Sequence, residues 1–203
     1  RVMNWKYTII KIVLFVVIII LGYLVVDSIL KPLRFNNAVA EREQVVVQNL
    51  KDIRNGQQFY KQFNHSYISD FDTLIDFLKT SEIPIVNRIP DPEDTTFTKI
   101  ITDTVGYVNV ADSLFGNRPN YSLDSLKFIP FTDGLVFELK ADSIDRGGLW
   151  VSVFEARAHY NTFLDGLNRQ LVINLIKSRK DIERYPGLKV GSLEEPSTDG
   201  NWE

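Results

Sequence analysis

Seventeen of the twenty residues from 7 to 26 are apolar, and Lys11 is the only charge among them. Twenty helical residues rise about 30 Å, the thickness of a bilayer's hydrocarbon core, so this run predicts a membrane-spanning helix. Lys11 sits one turn inside its N-terminal end, where its stem can follow the helix and set the ammonium among headgroups. Trp5, Tyr7 and Tyr23 suit the two interfaces. A cleaved signal peptide and a buried core helix are the rival readings of the same run. Signal peptides end in small residues, whereas this run ends Leu24-Val25-Val26, which favours a retained anchor.

Pro32, just past the span, is expected to kink or interrupt the helix. Helical periodicity resumes near Asn36. Val39, Val46, Ile53 and Tyr60 recur every seven residues, and Leu50 completes an i, i+4, i+7 face. Glu41, Arg42, Lys51, Asp52 and Arg54 fall mostly away from that stripe, while Glu43 and Gln57 are polar exceptions within it. Two destinations fit the stripe: the protein's own core, or a coiled coil with a second copy or a partner. Asn64-His65-Ser66 should end this helix. Ser69 or Asp70 is placed to cap a short helix over 71–79 with Leu74, Phe77 and Leu78 inward. Residues 80–98 hold Pro84, Pro90 and Pro92 among acids and read as an exposed loop.

Beyond that loop the pattern changes to short runs of β-formers: 105–110, 135–141, 149–158 and 170–175. Asp133-Gly134, Arg146-Gly147-Gly148 and Asp165-Gly166 separate them as turns, and such short gaps favour antiparallel pairing. In 149–158 both faces are apolar at first, which predicts a strand covered on both sides before it emerges. The last nineteen residues read as an irregular tail. The predicted class is α+β: an N-terminal transmembrane helix continuing into an amphipathic helix, then an antiparallel β-rich head. Its segments are a tail and anchor (1–31), a juxtamembrane helix (32–64) and a head domain (65–203).

Charge follows the same division. Residues 1–26 carry three bases and no acid, so the remainder holds 20 bases against 26 acids, a net of −6. No generic nucleic-acid binder has that balance, since phosphate contacts require a basic face. The absence of cysteine removes disulfide frameworks, thiolate zinc sites and cysteine nucleophiles. Lys and Arg on the two sides of the span nearly balance, but a short basic tail ahead of a first span usually stays in the cytoplasm. The expected topology is a cytoplasmic N-terminus with residues 27–203 exported.

Residues 7–80 resemble the N-terminal half of type IV pilins and pseudopilins. The likeness rests on the span running into an amphipathic helix, then Gln57-Gln58-Phe59-Tyr60, Asn64-His65-Ser66-Tyr67 and Phe71-Asp72-Thr73-Leu74. The whole chain is similar to single-span envelope proteins of Bacteroidota. The resemblance implies a pilin-like architecture, an anchored helix presenting an α+β head. Prepilins carry a processing-site glycine before the span and a glutamate early within it. Residues 1–21 contain neither glycine nor acid, and Lys11 stands where the acid is expected. Peptidase processing and polymerisation therefore do not carry over.

Motifs for phosphate loops, nucleophile elbows and zincins are missing from the sequence. His65 and His159 read as turn and strand-end residues, residues 142–148 as a turn rather than a calcium loop, and Asp70 and Asp72 as helix-start acids. No catalytic, cofactor or metal site is expected. One pattern exceeds chance. With 16 Asp and 23 Ser or Thr in 203 residues, about one Asp-Ser/Thr pair followed by Ala, Val, Ile, Leu, Met or Thr is expected, and seven occur. They centre on Ser28, Thr73, Thr95, Thr104, Ser113, Ser125 and Ser143. The pattern is similar to the acceptor motif of protein O-glycosylation in Bacteroidota; turn and cap formation is the competing explanation. The functional expectation is a non-enzymatic structural or assembly subunit of a bacterial envelope machine, single-pass in the inner membrane with a periplasmic head. Alternatives are a minor pseudopilin and an anchored hydrolase or glycan-binding protein. Expected partners are the inner membrane and other envelope proteins, with self-association through the face of Val39, Val46, Leu50, Ile53 and Tyr60 as a further option.

Overall fold

Residues 5–90, 100–118 and 121–203 are described by the structure, a computed structural model. Its first element, α1 (Trp5–Asn64), is a single helix of 60 residues, about 90 Å long. The expected interruption at Pro32 does not occur. Proline there forfeits one hydrogen bond, to the Ser28 carbonyl, and its ring strains the preceding turn, a cost of about 3 kcal/mol. The helix continues because both flanks hold it: an apolar run with no competing structure before, and a half packed into the head after. An Asp27–Lys31 ion pair also ties the turn that enters the proline.

His65 ends the helix in a left-handed conformation (φ 58°), its N–H donating to the Lys61 carbonyl. Then α2 (Phe71–Thr80) starts at Asp70, whose carboxylate accepts the Thr73 N–H at 2.8 Å. Leu74 and Leu78 are fully buried and Phe77 half-buried, so the face is the expected one. They pack on α1 at Gly56, where a Cβ would come within 3.2 Å of Leu78 Cδ1; the missing side chain lets the helices approach.

Residues 82–90, expected as loop, form a strand instead. β1 (Glu82–Pro90) pairs antiparallel with β2 (Ile100–Asn109) in a two-stranded ribbon, with a bulge at Ile85/Val86 that leaves Val105 unmatched. Both strands are edges, so Pro84 deprives no central ladder of a donor. Residues 91–99 lie outside the described residues. A short α3 (Val110–Phe115) and a 3-10 turn (Leu123–Lys127) lead to the second sheet.

That sheet has the order β3-β4-β5 and is wholly antiparallel. β3 (Glu138–Arg146) and β4 (Leu149–His159) are joined by Gly147 and Gly148, both at positive φ (68° and 90°), as a two-residue hairpin turn demands. The coverage expected for β4 is reversed. Leu149 and Trp150 project at the hairpin tip, whereas Val153, Phe154, Glu155 and Ala156 are buried where α1 and β5 meet the strand. After the short α4 (Tyr160–Phe163), residues 170–175 belong to a helix, α5 (Arg169–Lys180), not a strand. Asn168 caps it, and Leu171, Val172, Leu175 and Ile176 share one inward stripe at helical spacing. The expected irregular tail contains β5 (Gly187–Gly191), which completes the sheet with Leu188 and Val190 buried. One core joins Val46, Leu50 and Ile53 of α1 to Leu74, Leu78, Phe154, Phe163 and Val190.

Candidate functional site

The two halves of α1 live in opposite environments. From Ile9 to Val26 every large apolar side chain is exposed, and among the described residues this is the one helix long and apolar enough to cross a membrane. From Val39 onward the same helix enters the head. Val46, Leu50 and Ile53 are inaccessible to solvent, Val39 is buried, and half-buried Tyr60 sits edge-on to Phe77 at 5.0 Å between ring centroids. Of the two destinations open to this stripe, the chain's own core is the one it occupies. The expected partner face at these five residues is thereby filled, because β4, β5 and α2 supply the apolar surface a second helix would have offered.

Polar side chains fasten the same stretch of α1 to the head over 19 residues, a rise of about 28 Å. Arg42 donates to the carbonyls of Phe163 and Asp165, each at 2.7 Å. Glu43 accepts the Tyr160 hydroxyl at 2.6 Å, and burial together with that carboxylate pushes the Tyr160 phenol up. Arg54 pairs with Glu203 at 2.9 Å. Gln57, fully buried, clamps the loop after the helix: its amide donates to the Ile68 carbonyl at 2.6 Å and its carbonyl accepts the Ile68 N–H at 3.1 Å. Lys61 closes the series on the Ser152 carbonyl.

Asp52 is the residue that pattern reading misplaced most. Set among the polar positions, it is instead fully buried and receives two hydrogen bonds from the Arg118 guanidinium, at 2.6 and 2.7 Å, and one from Gln48 at 3.0 Å. Arg118 lies over the rings of Phe115 and Tyr121, which stack with centroids 4.6 Å apart. Burial, reinforced by the Asp52 charge, pushes the Tyr121 phenol up. The only sequence signal was an acid adjacent to the apolar Ile53. Its partner lies 66 residues away, beyond the reach of local pattern.

The remaining candidate residues are scattered rather than convergent. His65 is an exposed turn residue; His159 caps α4, its Nδ1 accepting the Asn161 N–H at 3.0 Å, and burial lowers its pKa. In the 142–148 turn, Asp145 accepts the Gly148 N–H and Asp142 the Ser143 N–H. Among the described residues no three His, Asp or Glu side chains are grouped to hold a metal ion. Of the acceptor triplets, Ser28, Thr104, Ser113, Ser125 and Ser143 are exposed. Thr73 is exposed too, but its hydroxyl donates to Asp70 at 2.6 Å in the α2 cap. Thr95 lies outside the described residues.

No family model, curated protein or solved structure matches this chain. The fold is α+β with a long apolar N-terminal helix and antiparallel sheets, and no pilin-like similarity is shown.

Proposed function

We propose that this protein is a membrane-anchored structural subunit of a bacterial envelope assembly, without catalytic activity, whose head is held at a set height and orientation above the bilayer. The observation that carries the reading is the continuity of α1. One unbroken helix has a fully exposed apolar half and a half bolted into the head core by apolar burial and by the polar contacts of Arg42, Glu43, Arg54, Gln57 and Lys61. A flexible linker would let the head wander; a helix shared by anchor and core transmits position. From Val26 to Val39 the helix rises about 20 Å, so the head stands clear of the bilayer on its own stalk. At the far end, where Lys61 meets Ser152, the β3–β4 hairpin presents Trp150, 71 % exposed, beside Leu149. An apolar hairpin tip of this kind is a natural contact for a neighbouring envelope protein.

The proposed topology places the tail in the cytoplasm and residues 27–203 in the periplasm of the inner membrane, as in the Bacteroidota envelope proteins the chain resembles. Exposed Thr104, Ser113, Ser125 and Ser143 are then the accessible O-glycosylation acceptors. The pseudopilin alternative requires extraction from the membrane, and Lys11 in place of the pairing glutamate argues against it. The test is fractionation with protease accessibility. The full chain should resist alkaline extraction, and protease added to spheroplasts should digest the head while protease added outside inverted vesicles should spare it. Recovery of a soluble chain with its N-terminus near residue 27 would overturn the anchor.

A further inference from the structure

The outer edge of a sheet bares a row of main-chain donors and acceptors that can pair with another chain, and folded proteins block such edges. The two sheets have four outer edges, and three of them are blocked. On β5 the C-terminal segment covers the edge: the Gly191 N–H donates to the Asp199 carbonyl, the Asn201 N–H to the Lys189 carbonyl, and the Lys189 N–H to the Asn201 side chain. β3 carries five charged side chains in nine residues, and Asp142 accepts the outward Ser143 N–H at 2.7 Å. β1 is blocked by proline. At the root of its ribbon the Val110 N–H donates to the Ser81 carbonyl, so the ladder uses the odd-numbered residues of β1 and turns the even-numbered ones outward. Pro84 and Pro90 are both even-numbered, and each removes a donor from that edge.

β2 is the exception. It contains neither proline nor lysine, and among the described residues no strand lies on its outer side. The pairs Val86–Thr104 and Asn87–Asp103 carry the alternation past the bulge and turn the N–H groups of Ile100, Thr102 and Thr104 outward. The bulge at Val105 adds twist but strips no donor from this edge. Ile83 packs on the core at the root of the ribbon, whereas Val105 is 61 % and Tyr107 67 % exposed, with Ile85 and Val86 bare beside them. A two-stranded ribbon so little covered is marginal in water and gains stability from a third strand. We propose that the outer edge of β2, over Ile100–Thr104, accepts an extended strand from a different protein, one that alternates β-branched residues with basic ones. Main-chain hydrogen bonds to the outward groups supply the affinity, as in other strand additions. Charge separates this occupant from a second copy. Asp103 is the one charge on β2, and residues 27–203 carry a net −6, so β2 against β2 adds repulsion where a basic strand gains attraction. The edge is open whether or not α1 spans a bilayer.

The experiment titrates the full chain, in neutral detergent, with a synthetic peptide that alternates valine with lysine and threonine, and with its counterpart carrying glutamate in place of lysine. With the lysine peptide at ten times its dissociation constant, hydrogen exchange at the Thr102 and Thr104 amides should slow about tenfold. The Val86 amide, on the proline-blocked edge of β1, should not change. The glutamate peptide should protect neither edge at that concentration. Thr104→Pro deletes one outward donor and no ladder bond, and should weaken the lysine peptide about three- to tenfold, the value of one main-chain hydrogen bond. Thr104→Lys leaves the backbone intact and should weaken the same peptide by charge repulsion, so the test survives a proline that disturbs the ribbon. Absence of protection by the lysine peptide, equal protection by both peptides, or protection that survives both Thr104 variants overturns the proposal. A dimer seen by native mass spectrometry without peptide, and lost in Thr104→Pro, assigns the edge to a second copy and overturns the foreign strand.

Discussion

The Asp52–Arg118 pair is solvated unequally. Asp52 has no solvent access at all, while 38 % of the Arg118 side chain meets water. Deleting one member of a buried pair costs about 3–5 kcal/mol when the survivor stays buried as an uncompensated charge. Arg118→Met leaves that situation: it keeps an apolar stem over Phe115 and Tyr121 but strands the Asp52 carboxylate with only Gln48 and a long contact to the Tyr121 hydroxyl, 3.4 Å away. Asp52→Asn is gentler. It keeps the shape and one acceptor oxygen, and the released guanidinium turns to water, so its cost is discounted to about 1–2 kcal/mol. With about 2–4 °C per kcal/mol for a domain of this size, Arg118→Met should lower the melting temperature by roughly 6–20 °C and Asp52→Asn by less than half of that. The double variant should be more stable than Arg118→Met alone, since no stranded charge remains. Circular dichroism melts of the full chain in neutral detergent measure all four states. Equal losses from the two single variants, or a double variant that is the least stable of all, would refute the asymmetry argument.

Leu50 is fully buried, so Leu50→Ala should destabilise the head by about 2–5 kcal/mol, and Leu50→Asp should abolish its cooperative transition; a normally folded Leu50→Asp protein that merely lost self-association would mean the face is open after all. Arg157 donates two hydrogen bonds of 2.7 Å to Glu138 and, with Lys140, holds its carboxyl down to about 2 from an ordinary value of 4.5. A carboxyl depressed in the folded state adds stability that is present above 4.5 and lost as pH falls toward 2, so denaturant titrations of Glu138→Gln should show a shallower loss across that window. Gln57→Leu leaves the Ile68 N–H and carbonyl without their side-chain partner and should cost about 1–3 kcal/mol while loosening the 65–70 loop, read by hydrogen exchange. Intact-mass analysis from native membranes should show heterogeneity above 23.4 kDa that disappears when Thr104, Ser113, Ser125 and Ser143 become alanine; one unmodified mass would end the glycosylation proposal.

What the sequence determined by itself is whatever depends on neighbours within a turn or two. The apolar run of 7–26, the heptad spacing of Val39, Val46 and Ile53, the Asp70 cap and the Gly147-Gly148 hairpin are each complete local signals, and each appears where the pattern placed it. The errors came where local preference was weak and distant partners chose. Residues 170–175 are rich in β-formers, yet the i, i+1, i+4, i+5 spacing of Leu171, Val172, Leu175 and Ile176 fits a helix once α1 and α4 offer a surface for that stripe. β5 is five residues long, too short for a pattern, and exists because β4 has an open edge; at Gly191 a Cβ would sit 2.2 Å from the Phe154 carbonyl, so even its composition was set by that approach. β1 tolerates two prolines only because its ribbon has a single partner strand. Pro32 was outweighed by packing some ten residues further on, and Asp52 was buried by an arginine brought in through the fold. Hydrophobic periodicity states that a face will be covered; the identity of what covers it is a property of the tertiary structure, because burial is decided between elements far apart in the chain.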